Sequence, residues 1–213
     1  MKLGICAIAY NEAEHIDFWY KHHKNLADEF VLVDTGSKDD TVKLAEKYPI
    51  KIFNYNWQHH FAETKNFAIQ QSSCDWILFL SPDYWIDKKD FPQIRNALNN
   101  KILAYKLPFK HCVVDWFDTK HTKNGTDYHT VLFKNCKEIY YHGRVHETVD
   151  SSIMIHKIPC RILEIMRYHD STQRKNNLIK EIYYKYLLTS GEQKINIPYA
   201  NYLRELVYKE EAK

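Results

Sequence analysis

A chain of 213 residues can bury one large core, or one domain with an appendage. Its net charge of +3, with Lys and Arg dispersed, argues against a nucleic-acid partner. No apolar run approaches the roughly 18 residues of a membrane span, and no charged-then-apolar leader opens the chain, so the sequence predicts neither a span nor a signal peptide.

The elements follow in chain order. Leu3 to Ala9 is an apolar strand, leading through Tyr10-Asn11-Glu12 into a helix to about Asn25, with Asn11 as its expected N-cap. Phe30 to Asp34 is a second strand, Thr41 to Tyr48 a helix, Ile50 to Tyr55 a third strand, Phe61 to Gln71 a helix and Asp75 to Leu80 a fourth strand. This alternation predicts a parallel sheet covered by helices on both faces, with right-handed crossovers. Beyond it, Ile102 to Cys112, Tyr128 to Lys134, Glu138 to Tyr141 and Arg161 to Tyr168 read as strands of an antiparallel extension. The tail turns helical from Thr172. Residues 1–170 are expected to form the main domain and 171–213 a helical extension packed on it, open to further domains. The loop from Val114 to Tyr128 is the expected acceptor-site or lid loop.

Five cysteines, widely spaced and without a Cys-x-x-Cys pair, point to free thiols in a reducing compartment, and so to the cytoplasm. Asn124-Gly125-Thr126 is read as a turn rather than a glycosylation site. The pairs His22-His23 and His59-His60 lack the one-face spacing of metal ligands and are expected at the surface.

Two segments share one grammar. Val31-Leu32-Val33-Asp34-Thr35-Gly36 and Trp76-Ile77-Leu78-Phe79-Leu80-Ser81-Pro82-Asp83 each run an apolar strand into a carboxylate. In an open α/β sheet ligands bind outside the carboxyl ends of the strands, so the two acids point to a nucleotide site with a metal. Only five glycines occur and no Gly-x-Gly-x-x-Gly, which excludes a dinucleotide oxidoreductase. A nucleotidyltransferase fails for want of a Gly-rich basic loop after the first strand.

Ala9-Tyr10-Asn11-Glu12, Val33-Asp34-Thr35-Gly36-Ser37, Glu63-Thr64-Lys65-Asn66-Phe67-Ala68, Asp75 to Leu80, Tyr128 to Phe133 and Gly143-Arg144-Val145-His146-Glu147 occur in an order that resembles the family-2 glycosyltransferases of GT-A fold. Within that family the chain is most similar to a chlorella-virus branch engaged in capsid glycan synthesis. The resemblance implies a Rossmann-like, mostly parallel mixed sheet flanked by helices, with C-terminal helices. It also implies a metal-dependent, inverting transfer of a hexose, glucose-like or 6-deoxy, from a UDP-sugar to a hydroxyl of a glycan or glycoprotein. A viral capsid protein is among the implied acceptors, and the host cytoplasm the implied location if the chain is viral. A non-catalytic nucleotide-sugar binding or scaffold domain is the alternative.

The resemblance also implies roles. The family's Asp-x-Asp metal motif stands here as Ser81-Pro82-Asp83, keeping the second acid as the ligand for Mn²⁺ or Mg²⁺. Ser81, beside Pro82 at the nucleotide, can still hydrogen-bond a ribose or a metal-bound water. His169 is the expected late metal or phosphate ligand. Asp34 either accepts the uracil N–H or caps the Gly36 turn. Tyr10 packs along the uracil or in the core, with Ala9 and Asn11 offering backbone contacts. Glu12 touches the ribose or serves the helix dipole. Lys65 meets the pyrophosphate or is a surface lysine. Glu147 is the expected general base, or an ion-pair partner of Arg144, with Asp115 and Asp118 as further candidates on the acceptor loop.

Overall fold

The computed structural model describes residues 1–99, 101–115, 118–121, 127–170, 177–189 and 197–211. Four strands, β1 (Leu3–Ala9), β2 (Glu29–Asp34), β3 (Lys51–Asn54) and β4 (Trp76–Phe79), lie side by side in parallel, in the order β3-β2-β1-β4. The helices α1 (Ala13–His23), α2 (Thr41–Ala45) and α3 (Phe61–Gln70) connect them. Strand alternation divides β1 between two cores. Leu3, Ile5, Ala7 and Ala9 pack with Trp19 of α1, while Cys6 packs with Ala68 of α3. Burial on both faces explains why these strands read as nearly unbroken apolar runs. Trp19 also donates its indole N–H to the Leu80 carbonyl at 2.9 Å, fixing the end of β4 against α1.

Two local expectations are corrected here. Asn11 does not cap α1: its backbone is left-handed, with φ 56°, and its Oδ1 accepts from the Lys38 amide at 2.8 Å. Glu12 stands at the helix start instead. The predicted second helix is shorter, ending at Ala45.

The second half comprises β5 (Tyr84–Ile86), α4 (Phe91–Ala97), β6 (Ala104–Asp115), β7 (Asp118–His121), β8 (Asp127–Lys134), α5 (Asp150–Ile155), β9 (Cys160–Ile162) and β10 (Arg167–Asp170). The sheet continues as β4-β8-β6-β10-β5. β8 is antiparallel to β4 and β6, but β9 and β10 both run parallel to β6. The extension is therefore mixed rather than antiparallel, and β10 points the same way as β4. The expected strand at Glu138 to Tyr141 is absent. Tyr141 instead exchanges two hydrogen bonds with the Asn66 side chain of α3, at 2.8 and 3.0 Å, so a side-chain amide takes the place of a neighbouring strand. Trp116, Phe117, Asn124, Gly125 and Thr126 of the expected lid loop lie outside the described residues, and of Asp115 and Asp118 only the backbone is described.

Two helices, α6 (Asn177–Thr189) and α7 (Ile197–Glu211), close the chain. They pack Tyr183, Leu187, Ala200, Leu203 and Val207 around Val145 and Phe61. Among the described residues, no helix is long and apolar enough to cross a membrane. Cys6, Cys74, Cys136 and Cys160 are free thiols.

The histidine pairs depart from the surface expectation, because His23 and His59 are fully buried. His23 donates from Nδ1 to the Trp19 carbonyl at 2.8 Å and accepts at Nε2 from the Ile86 amide. Burial disfavours the imidazolium and holds His23 down at about 3 and His59 at about 4. Both folded values lie below the ordinary 6.5, so between these limits the unfolded chain binds more protons, and stability falls as pH drops from about 6.5. For His23 alone the slope approaches about 1.4 kcal/mol per pH unit. Urea unfolding at pH 7, 6 and 5 should show this loss, and His23→Gln should flatten it. An unchanged slope in that variant would mean His23 titrates normally in the fold.

Candidate active site

β1 has β2 on one side and β4 on the other, so the crossovers diverge between β1 and β4. Such switch points leave a crevice outside the carboxyl ends of the strands. A cavity of about 590 Å³ opens there, lined by Ala9, Tyr10, Ser81 and Asp83 and by Tyr183, Tyr184, Arg204 and Val207 of the C-terminal helices. Of the residues singled out in the sequence, Ala9, Tyr10, Glu12, Lys65, Ser81, Asp83 and Glu147 all line it.

Asp83 and His169 are 86 positions apart in sequence, yet the His169 Nε2 lies 2.8 Å from the Asp83 Oδ2. The fold produces this meeting by running β10 parallel to β6 and antiparallel to β5, which pairs His169 with Tyr84, the residue after Asp83. The imidazole is buried and lies tilted against the Tyr84 ring, with ring centres 4.4 Å apart, while the carboxylate is 21% exposed. Glu12 lies close enough for Asp83 to act on it. Burial raises the Glu12 carboxyl to about 7, with the His15 hydrogen bond opposing and the Asp83 charge adding. Among the described residues no group of three or more His, Cys, Asp or Glu side chains converges as a metal cage. One carboxylate and one imidazole suit instead a cation of mixed oxygen and nitrogen preference, such as Mn²⁺, that completes its shell from phosphate and water.

Across the cavity, Lys65 of α3 meets the Glu147 carboxylate at 2.6 Å, both side chains being mostly buried. The ammonium lies 4.8 Å from the ring centres of both Phe79 and Tyr141. Lys65 is thus a cavity residue rather than a surface one, and Glu147 has Lys65 as an ion partner. Glu147 rides on a loop closed by two backbone hydrogen bonds between His142 and Thr148. The loop turns at Gly143, whose φ of +96° puts it where a side chain is strained; an added Cβ would also stand 3.3 Å from the Val145 carbonyl oxygen. The Arg144 carbonyl accepts from the Phe61 amide at the start of α3, and the Arg144 guanidinium donates to the His59 carbonyl at 3.2 Å.

On the β2 side, Asp34 accepts from the Gly36 and Ser37 amides and the Ser37 hydroxyl. The cap is therefore present, and Asp34 itself does not line the cavity. Tyr10 is buried, and its ring faces the Arg204 guanidinium at 3.6 Å, with Trp57 on the same cation at 4.8 Å. Arg204 also donates to the Thr35 carbonyl at 3.1 Å and the Thr35 hydroxyl at 2.6 Å, which bonds α7 to the end of β2.

Three charged lining residues escaped the sequence reading. Asp150, at the start of α5, accepts from Lys106 at 2.7 Å and the Thr130 hydroxyl at 2.6 Å. Burial would raise its pKa, but these bonds prevail and hold it below the usual carboxylate range. Arg204 lay in a helical tail with no motif. Arg167 had a readable signal: two positions before His169 in a strand, it shares that residue's face.

A model of the family described as "Glycosyl transferase family 2" matches residues 5–158. A TPR repeat-containing protein of Synechococcus elongatus is 27% identical over 154 residues, covering 72% of this chain and 36% of that protein. The glycosyltransferase SunS of Bacillus phage SPbeta is 26% identical over 178 residues, covering 81% of this chain and 40% of its own. The chain thus spans about two fifths of the length of these relatives. Among solved structures, the 1–349 segment of S. aureus TarS superposes with a TM-score of 0.56 at 15% identity, over 99% of this chain and 71% of that one. A second crystal structure of that segment, with a TM-score of 0.55, is a complex with UDP-GlcNAc. The likeness shows the fold, which is the GT-A type expected from the sequence.

Proposed function

This chain belongs to glycosyl transferase family 2, and on that premise we propose that its cavity is the site of a metal-dependent, inverting hexosyl transfer from a UDP-sugar to an acceptor hydroxyl. The observation that carries the proposal is the approach of Asp83 and His169 at the switch point of the sheet. It supplies two metal donors where a nucleotide diphosphate would lie. A bound Mn²⁺ or Mg²⁺ would offset the charge that develops on the leaving diphosphate.

The chain's own residues do the rest. Tyr10, Ala9 and Asn11 border the nucleoside, with Asp34 bracing the Gly36 turn and within the uracil-recognising segment. Glu12 and Ser81, beside Pro82, take the ribose and diphosphate side. Glu147 accepts the acceptor hydroxyl's proton as its oxygen attacks the anomeric carbon from the face opposite the leaving group. Asp115 is the further candidate from the acceptor side. Lys65 holds Glu147 in place and presents a positive charge to the incoming donor.

Residues 1–170 constitute the transferase domain in this reading, and 171–213 an extension whose helices α6 and α7 contribute to the cavity lining. Glucose-like and 6-deoxy sugars are the donors to try first, with glycans and glycoproteins as acceptors. The resemblance to chlorella-virus capsid-glycan enzymes adds viral capsid protein to the acceptors, and the host cytoplasm as the matching location.

UDP release should be measured from UDP-glucose, UDP-galactose, their N-acetylamino analogues and UDP-rhamnose, with Mn²⁺. Slow Mn²⁺-dependent release from one or a few of these is the expected result. Tight UDP binding with no release from any donor, even with acceptor glycans present, would select the non-catalytic binding domain that Ser81 in the metal motif motivates.

A further inference from the structure

The cations around the cavity are not in equivalent states. Lys65 is paired with Glu147, and Arg204 donates to Thr35. Arg167 is 5% exposed and lines the cavity, and its Nε and Nη2 are buried without a hydrogen-bond partner among the described residues. Its guanidinium lies 4.8 Å from the Tyr84 ring centre and 5.2 Å from that of Phe109. Aromatic faces recover about 0.5–2 kcal/mol for such a cation. Desolvating an ion costs several kcal/mol, so the rings leave most of that cost standing. What repays a buried guanidinium fully is an oxyanion, held by its fork of N–H donors.

The position of Arg167 separates it from the metal pair. It shares a face of β10 with His169 but sits two residues earlier, about 6.6 Å along the strand at roughly 3.3 Å per residue. β10 runs parallel to β6 and reaches the site by its carboxyl end, so Arg167 lies two residues back along the strand from His169, with Asp83 near enough to act on its charge. A charged group of the transferred sugar or of the acceptor that reaches past a diphosphate at the metal pair would meet Arg167. Tyr84 and Phe109 lie against the guanidinium, so its unpartnered nitrogens are held in place rather than carried on a mobile side chain.

We propose that the Arg167 end of the cavity is a subsite for a carboxylate or phosphate group of the substrate, carried by the transferred sugar or by the acceptor and distinct from the donor diphosphate. The subsite rests on the transferase reading and selects charged substrates over their neutral counterparts. Two sources share this chemistry: a hexuronate donor, with its carboxylate on the sugar, and a phosphorylated acceptor.

Calorimetric titrations with Mn²⁺ distinguish them. The donor arm compares UDP-glucuronate with UDP-glucose, and the acceptor arm adds glycerol 3-phosphate or glycerol to the UDP-loaded protein. Wild type should prefer the charged member of at least one pair by 10-fold or more. Arg167→Met, which keeps an apolar filling between the two rings, should erase that preference while UDP itself binds as before. Arg167→Lys should restore part of it, and serves in place of Arg167→Met if that variant does not fold. Equal affinity for charged and neutral members in both arms would overturn the subsite. So would a loss of UDP affinity in Arg167→Met equal to the loss of the preference, since Arg167 would then serve the diphosphate. If UDP fails to bind the wild type, the transferase reading fails separately, and inorganic phosphate becomes the probe. Phosphate binding lost in Arg167→Met would still support the subsite, and no phosphate binding would overturn it.

Discussion

Asp83→Asn is expected to abolish Mn²⁺-dependent binding of UDP while leaving the fold intact. The side chain keeps an oxygen to accept from His169, so the buried imidazole retains this hydrogen bond, whereas Asp83→Ala would remove it at a cost of about 1–3 kcal/mol. What Asn lacks is the charge, and with Ser81 in place of the first motif acid no other residue of the motif supplies it. Loss of an outer-shell partner typically costs 10–100-fold in metal affinity, so loss of a direct anionic ligand should cost at least about 100-fold. Calorimetry with UDP and Mn²⁺, beside a thermal melt, reads both sides of the prediction. Retained Mn²⁺-dependent UDP binding in this variant would remove Asp83 from the metal site.

Glu147→Gln should have the second large effect, on turnover rather than on binding. Removing a positioned general base costs about 10²–10⁴-fold in rate. The same change releases Lys65 from its ion pair, leaving an ammonium between Phe79 and Tyr141 free to meet the donor diphosphate. UDP affinity should therefore hold or rise as turnover falls. If Glu147 serves only to neutralise Lys65, the variant would melt earlier and keep its turnover. Steady-state kinetics combined with a melt separates the two roles.

The parallel half of the fold was legible because its code is local. Strands buried on both faces read as apolar runs, and the helices between them carry a one-sided pattern. The second half was harder for an identifiable reason. The backbone of Tyr141 is satisfied by Asn66, a side chain 75 positions away, so its apolar flanks mimic a strand without forming one. The parallel placement of β10 beside β6 likewise depends on pairing that no short window of sequence contains.

The site divides along similar lines. Asp83 and Glu147 were visible because each stands in a recognisable block. The partner of Glu147 was not, since Lys65 reaches it across the cavity from α3. His23 and His59 read as surface residues because polarity predicts exposure only when no internal acceptor is at hand. The Trp19 carbonyl supplies that acceptor for His23, and the Tyr183 hydroxyl, 2.7 Å from Nδ1, supplies the partner for His59. Arg204 shows the same limit: a cation in a featureless helix becomes part of the cavity wall only once α7 is folded against Tyr10 and Thr35.

The most direct test of the proposed site is a calorimetric titration of this chain with UDP, GDP and CMP, each with and without Mn²⁺. Binding of UDP alone, and only when Mn²⁺ is present, is the predicted result. Failure of all three nucleotides to bind with Mn²⁺, or equal UDP affinity without it, would contradict the metal-dependent UDP-sugar site formed around Asp83 and His169.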